Sequence, residues 1–165
     1  MRHFESLQAL KQCVGEEVGA SEWITVDQAR IDRFAEATGD FQWVHVDAER
    51  AAAGPFGKTI AHGFLTLSLL PLFVQTALTI GGVELGINYG LNKVRFASPV
   101  LVDSRLRGRI RLLGMEDVAP IDGHPGYQLT LQVIVECEGA SKPACIAENV
   151  QRRYGSGGTP PALPG

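Results

Sequence analysis

Asp40 and His45 stand a few residues apart in the stretch Ala37-Thr38-Gly39-Asp40-Phe41-Gln42-Trp43-Val44-His45-Val46-Asp47. A short loop leaving a helix at Gly39 can bend both side chains toward one point. A carboxylate and an imidazole facing a single water are the parts that general acid–base chemistry needs near neutral pH. The pair also has a plain structural reading, with Asp40 as a cap on the next turn and His45 as a half-buried spacer.

The elements around the pair decide whether the two can meet. Thr25-Val26-Asp27-Gln28 follows the capping-box pattern and predicts a helix from Val26 or Asp27 to about Thr38. Ile31, Phe34 and Ala35 form its apolar face, and Gly39 supplies the left-handed residue that closes such helices. Asp47 is expected to cap a short helix over residues 48–53, ended by Gly54-Pro55-Phe56-Gly57. Then comes Thr59-Ile60-Ala61-His62-Gly63. It is followed by a stretch from Phe64 to about Thr79 that is apolar nearly all round, as a long buried central helix would be. Pro71 should kink or divide that helix, because proline removes a backbone donor and crowds the preceding turn.

Ahead of this region, Phe4, Leu7, Leu10 and Val14 recur at helical spacing, so residues 1–19 are expected as a helical extension, broken at Gly15 and Gly19. Glu22 to Val26 is a strand candidate. From Val83 onward the period changes to two. Residues 84–89 and 92–96 read as strands, or as one bent strand with a bulge near Gly90. Residues 105–113 alternate Leu106, Ile110 and Leu112 with Arg105, Arg107, Arg109 and Arg111. Tyr127 to Glu136 alternates too, after a longer connection over 114–126, and 144–154 is the last strand. Together these predict an antiparallel meander whose inner face covers the helix, an α+β architecture in one domain over residues 20–154. Residues 155–165 are Gly, Ser, Thr and Pro with little apolar content, a tail expected to lack order.

Bulk properties narrow the function classes. A chain of 165 residues with 45% hydrophobic and 20% charged residues can bury one sizeable core. A net charge of −3 does not favour nucleic acid as a partner. Cys13, Cys137 and Cys145 lack metal-ligand spacing and read as reduced thiols of a cytoplasmic protein. The N-terminus has no basic region followed by an apolar run, so no secretory signal is expected. The apolar stretch after Gly63 contains Thr, Ser, Pro and Gln and does not read as a membrane span. His3, His45, His62 and His124 share no ligand spacing, so no metal is expected.

At this point the chain resembles the MaoC-like hydratase branch of the hot-dog fold. The resemblance rests on Phe34-Ala35 ahead of Thr38-Gly39-Asp40, then His45, then Ile60-Ala61-His62-Gly63, and later Val94-Arg95-Phe96 with Pro99-Val100. It spans roughly residues 20–154. It implies a curled antiparallel sheet wrapped around a central helix and a homodimer. The implied activity is hydration of trans-2-enoyl-CoA to (R)-3-hydroxyacyl-CoA, or the reverse, with a CoA thioester as substrate and no cofactor. By position Asp40 and His45 match the family's catalytic pair. The family commonly reads Asp-x-Asn-Pro-x-His; here Gln42 replaces the Asn and Trp43 the Pro.

Gly63 is expected to let a thioester oxygen approach the backbone N–H groups at the start of the buried helix, or else merely to permit tight packing. His62 reads more readily as a structural imidazole than as a second catalyst. With Gln42 and Gly63 it completes the positions expected against substrate. The four arginines of 105–111, like Lys93 and Arg95, could meet phosphates, but a solvated sheet face is the preferred account of the four. Trp23 reads as core or interface packing. Two other functions fit the same fold, a hot-dog acyl-CoA thioesterase and a non-catalytic acyl-binding subunit.

Overall fold

The computed structural model describes residues 1–155. Among these the chain begins with β1 (Arg2–Phe4), α1 (Leu7–Lys11), β2 (Glu17–Ala20) and β3 (Ile24–Val26). Helices α2 (Gln28–Thr38), α3 (Trp43–Val46), α4 (Ala48–Ala52), α5 (Gly63–Ser68) and α6 (Leu70–Ala77) follow, and then β4 (Leu78–Ile80). Four long strands complete the fold: β5 (Val83–Phe96), β6 (Ser104–Ile121), β7 (His124–Cys137) and β8 (Cys145–Gly155). The main sheet runs β2-β6-β7-β8-β5, with β3 also on β6, and every pairing in it is antiparallel.

The alternation read along residues 105–113 is the physical basis of the core. Leu106, Ile110 and Leu112 are fully buried, while Arg105, Arg109 and Arg111 face outward. Leu129, Leu131, Val133 and Val135 of β7 continue the inner face, and Phe73 of α6 is sealed against it. Complete burial of one such side chain contributes about 2–3 kcal/mol.

Several local expectations change. The central helix is divided, as expected of a run that contains Pro71, and is not one long element. It breaks at Leu69 into six-residue α5 and eight-residue α6, and Pro71 lies in the first turn of α6. An amide there has no intrahelical acceptor, so proline removes nothing that was used. The helical run stops at Ala77, and Leu78–Ile80 extends as β4 in parallel with β1. Residues 1–19, expected to be helical, hold one five-residue helix between two strands, and Gly19 lies inside β2. The N-cap of α2 is Asp27, whose carboxylate accepts from Arg30 N–H at 2.8 Å, and not Thr25.

The connection over 114–126 is mostly strand. β6 and β7 pair as far as Ile121 opposite His124, and Asp122-Gly123 makes the turn with φ of 47° and 80°. Two positive φ values in a two-residue hairpin match the strand twist, and Asp-Gly is the pair that tolerates them. β5 is indeed one long strand with irregularities between Asn88 and Gly90 and between Leu91 and Val94. It pairs with β8 and not with the next strand in sequence, so only β6-β7-β8 is a meander. Gly155 closes β8, and the rest of the expected tail lies outside the described residues. No helix among the described residues is long and apolar enough to cross a membrane.

Candidate active site

Helix α2 ends as its glycine dictates. Gly39 sits at φ 78° and its N–H returns to the Ala35 carbonyl at 2.8 Å, which aims the chain out at Asp40. The Asp40 carboxylate is exposed and accepts from Gln42 N–H at 3.3 Å. The Gln42 carbonyl in turn accepts from His45 N–H at 2.9 Å and starts α3. Gln42 thus engages its neighbours through its backbone, and its side chain is exposed.

His45 is buried at 7% exposure. Its Nδ1 lies 2.7 Å from the Ile60 carbonyl. A carbonyl only accepts, so Nδ1 carries the proton and Nε2 is left as a basic lone pair. Burial lowers the His45 pKa below its usual 6.5; the Ile60 hydrogen bond opposes this, His62 adds to it and Asp40 opposes it. His45 is therefore neutral at pH 7, the state a general base requires.

Two features that no local spacing revealed hold this imidazole. Gln28 on α2 donates from Nε2 to the His45 carbonyl at 2.8 Å and to Asp32 Oδ1 at 2.8 Å, while its Oε1 accepts from Thr59 Oγ1 at 2.6 Å. One amide so ties α2, α3 and the segment carrying Ile60 together. The sequence showed Gln28 only as part of a capping pattern. His62, 2% exposed, stacks on His45 with ring centroids 3.8 Å apart and planes at 25°, and the Phe34 ring lies tilted against it at 5.0 Å. Its Nε2–H donates to the Asp40 backbone carbonyl at 3.0 Å, so His62 anchors the loop that carries the carboxylate. Its Nδ1 is buried without a hydrogen-bond partner among the described residues.

One oxygen of Asp40 and one nitrogen each of His45 and His62 lie within 4.8 Å of one another. That is close enough to share one small ligand, whether a water or a metal ion. Gly63 opens α5 beside them. The Thr66 N–H reaches back to the His62 carbonyl at 3.2 Å, so the amides of Gly63, Phe64 and Leu65 have no intrahelical acceptor. A Cβ on Gly63 would stand 3.1 Å from the Phe96 ring.

Most of the other candidates have partners outside this cluster. Arg105 and Arg107 donate to Glu138 and Glu136 at 2.8 and 2.6 Å, and Arg109 pairs with Glu17. Their face is a solvated ion-pair ladder, with Trp23 beneath the Arg107 guanidinium. Lys93 pairs with Glu148, and Arg95 donates to the Val94 carbonyl. Trp43 stacks under Arg50 at 4.5 Å and lies against Gly54, whereas Phe41 is 59% exposed.

A profile of the family described as MaoC like domain matches residues 9–133. The chain belongs to the MaoC-like family. This MaoC-like protein is 55% identical over 152 residues to 3-hydroxyacyl-thioester dehydratase Z of Mycobacterium tuberculosis (strain ATCC 25618 / H37Rv), covering 92% of this chain and 98% of that one. Among solved structures, it is similar to the monoamine oxidase regulatory protein from Archaeoglobus fulgius, with a TM-score of 0.70 and 23% identity over 94% of this chain and 97% of the other. It is also similar to R-hydratase PhaJ1 from Pseudomonas aeruginosa, with a TM-score of 0.59 and 24% identity over 90% of this chain and 93% of the other. The fold of the MaoC-like chain is the α+β hot-dog, as the resemblance implied.

Proposed function

We propose that this protein adds water to a trans-2-enoyl-CoA to give the (R)-3-hydroxyacyl-CoA, or runs the reverse dehydration, with Asp40 and His45 as the catalytic dyad. In coarse terms it is a hydro-lyase of the hydratase and dehydratase kind, in keeping with its 55% identity to a 3-hydroxyacyl-thioester dehydratase. The observation that carries the finer reading is the meeting of a carboxylate with a neutral, Nδ1-protonated imidazole whose Nε2 is free.

In the hydration direction a water lies between Asp40 and His45 Nε2. His45 takes its proton as the oxygen bonds to C3, and Asp40 holds the second hydrogen and so fixes the attack angle. The electron pair of the double bond moves toward the thioester carbonyl. The Gly63 N–H accommodates the charge that develops on that oxygen, and C2 then receives a proton from the dyad. His62 keeps the Asp40 loop in place. The proposed chemistry requires neither metal nor redox cofactor, since every proton and electron pair is accounted for by water, substrate and the dyad.

The assay is loss of enoyl absorbance on crotonyl-CoA, run beside a free-thiol readout. Asp40→Asn and His45→Gln should each lower turnover at least about a hundredfold. Thiol release without hydration would convert the reading to a thioesterase, and equal activity in wild type and both variants would leave only acyl binding.

A homodimer joined along β5 belongs to the same reading. β5 is an edge of the sheet and exposes Leu85, Ile87, Tyr89 and Leu91. Unpaired edges with apolar side chains are normally covered. The three unbridged thiols, Cys13, Cys137 and Cys145, fit a cytoplasmic location.

A further inference from the structure

The inner face of β8 starts apolar, with Cys145 and Ala147, and then turns polar at Asn149, Gln151 and Arg153, all at the same period-two positions. Asn149 and Gln151 are 2% and 5% exposed, where their partners on β7, Leu131 and Leu129, are leucines. Burying amides costs stability unless they are hydrogen-bonded, so a run of them calls for a reason.

They form a one-way chain. Arg153 Nη2 donates to Gln151 Oε1 at 2.6 Å, Gln151 Nε2 donates to Asn149 Oδ1 at 2.6 Å, and Asn149 Nδ2 donates to Asn88 Oδ1 at 2.7 Å. The direction is forced from one end. A guanidinium can only donate, so it orients Gln151, which orients Asn149, which orients Asn88. Among the described residues, Arg153 faces no carboxylate, and the Cβ absent from Gly86 would fall on its guanidinium. Hydrogen bonds in series polarise one another, so the last donor, the Asn88 amide nitrogen, is strengthened by the cation at the far end.

That donor, on an exposed residue, ends in a groove of about 320 Å³, where Asn88, Asn149 and Ser68, whose hydroxyl donates to the Leu65 carbonyl at 2.7 Å, are the polar groups between Phe64, Pro71 and Leu91. Phe64, which lines this groove, follows Gly63 directly in the chain, so the groove runs along the helical segment that Gly63 opens. A smaller cavity of about 110 Å³ continues past Pro71 to Gln75, Gln151 and Arg153.

Resting on the hydratase reading, we infer that this groove takes the acyl arm of the substrate and that Asn88 selects arms carrying a hydrogen-bond-accepting oxygen, such as a keto group, part-way along the chain. The substrate class is therefore an oxygenated trans-2-enoyl thioester and not a plain hydrocarbon one. An apolar arm leaves the polarised donor desolvated and unmatched, which is how a polar site rejects an analogue that lacks the partner group.

The test is a series of trans-2-enoyl-CoAs of one chain length in which a single keto oxygen is stepped outward carbon by carbon, with the plain chain as reference. Wild type should show a peak in kcat/KM at one position, at least about tenfold over the plain chain. Asn88→Leu should bring that ratio toward one, and the near-isosteric Asn88→Asp, which presents an acceptor to an acceptor, should bring it below one. A flat wild-type profile with plain-chain hydration intact overturns the subsite alone, as does a peak that survives both substitutions. Absence of hydration across the whole series overturns the hydratase reading with it.

Discussion

His45 shows how one side chain can be tuned by its neighbours without a covalent change. Its burial makes the imidazolium costly, and the stacked His62 ring makes it costlier. Two pH effects follow, with signs that can be checked separately. The acid limb of kcat/KM should have its midpoint below pH 6.5, because the base stays unprotonated further into acid than a free imidazole would. Stability should move in step. Between the folded and unfolded pKa values the unfolded chain binds the extra proton, so stability rises with pH through that window and is lost as pH falls from 6.5. Urea melts at a series of pH values would show the loss in wild type and its reduction in His45→Gln; an acid limb above 6.5 would contradict the environment described for this residue.

At the scale of elements, the helical segment starts at Gly63, next to His62, and its second piece, after the break at Leu69, keeps Phe73 in the core. Leu69 bends the run, α5 keeps its free amides beside His62, and α6 carries the apolar load. Gly63→Ala separates packing from chemistry. The added Cβ meets the Phe96 ring, which is 46% exposed and has room to turn away. Stability should therefore stay within about 1 kcal/mol of wild type. Under the proposed mechanism hydratase turnover should nevertheless fall by about tenfold or more, because the methyl group would stand where the thioester oxygen is proposed to approach its donor. A thermal melt and a crotonyl-CoA assay on the same sample would check both halves, and unchanged turnover would remove Gly63 from the oxyanion role.

At the scale of the molecule, the strongest demand is at the open edge. β5 contributes a 14-residue strand of which every residue is at least partly exposed, including Leu85, Ile87, Tyr89 and Leu91. Pairing with a second copy would satisfy its free backbone groups and cover these side chains together. Light scattering at micromolar concentration should give about twice the chain mass of 17.8 kDa. Ile87→Lys combined with Leu85→Lys should shift the protein toward monomer; a wild-type monomer at that concentration would set the homodimer aside.

The sequence by itself determined what is local: the exit of α2 at Gly39, the outward arginines against the inward leucines of β6, and the five-residue reach between Asp40 and His45. Each follows from backbone preference or a two- or 3.6-residue period, which neighbouring residues enforce. The Asp122-Gly123 hairpin was not read, because the broken alternation over residues 114–126 made that stretch look like a connection where β6 and β7 in fact run on to the turn. Tertiary structure alone decided the rest. That His62 holds the Asp40 carbonyl, that Gln28 clamps His45, and that β5 crosses to β8 all depend on groups 22, 17 and about 60 residues apart in the chain. Such contacts form only once the core has packed, because the loss of chain entropy in closing those distances is offset by burial of the whole sheet and not by any one of the contacts.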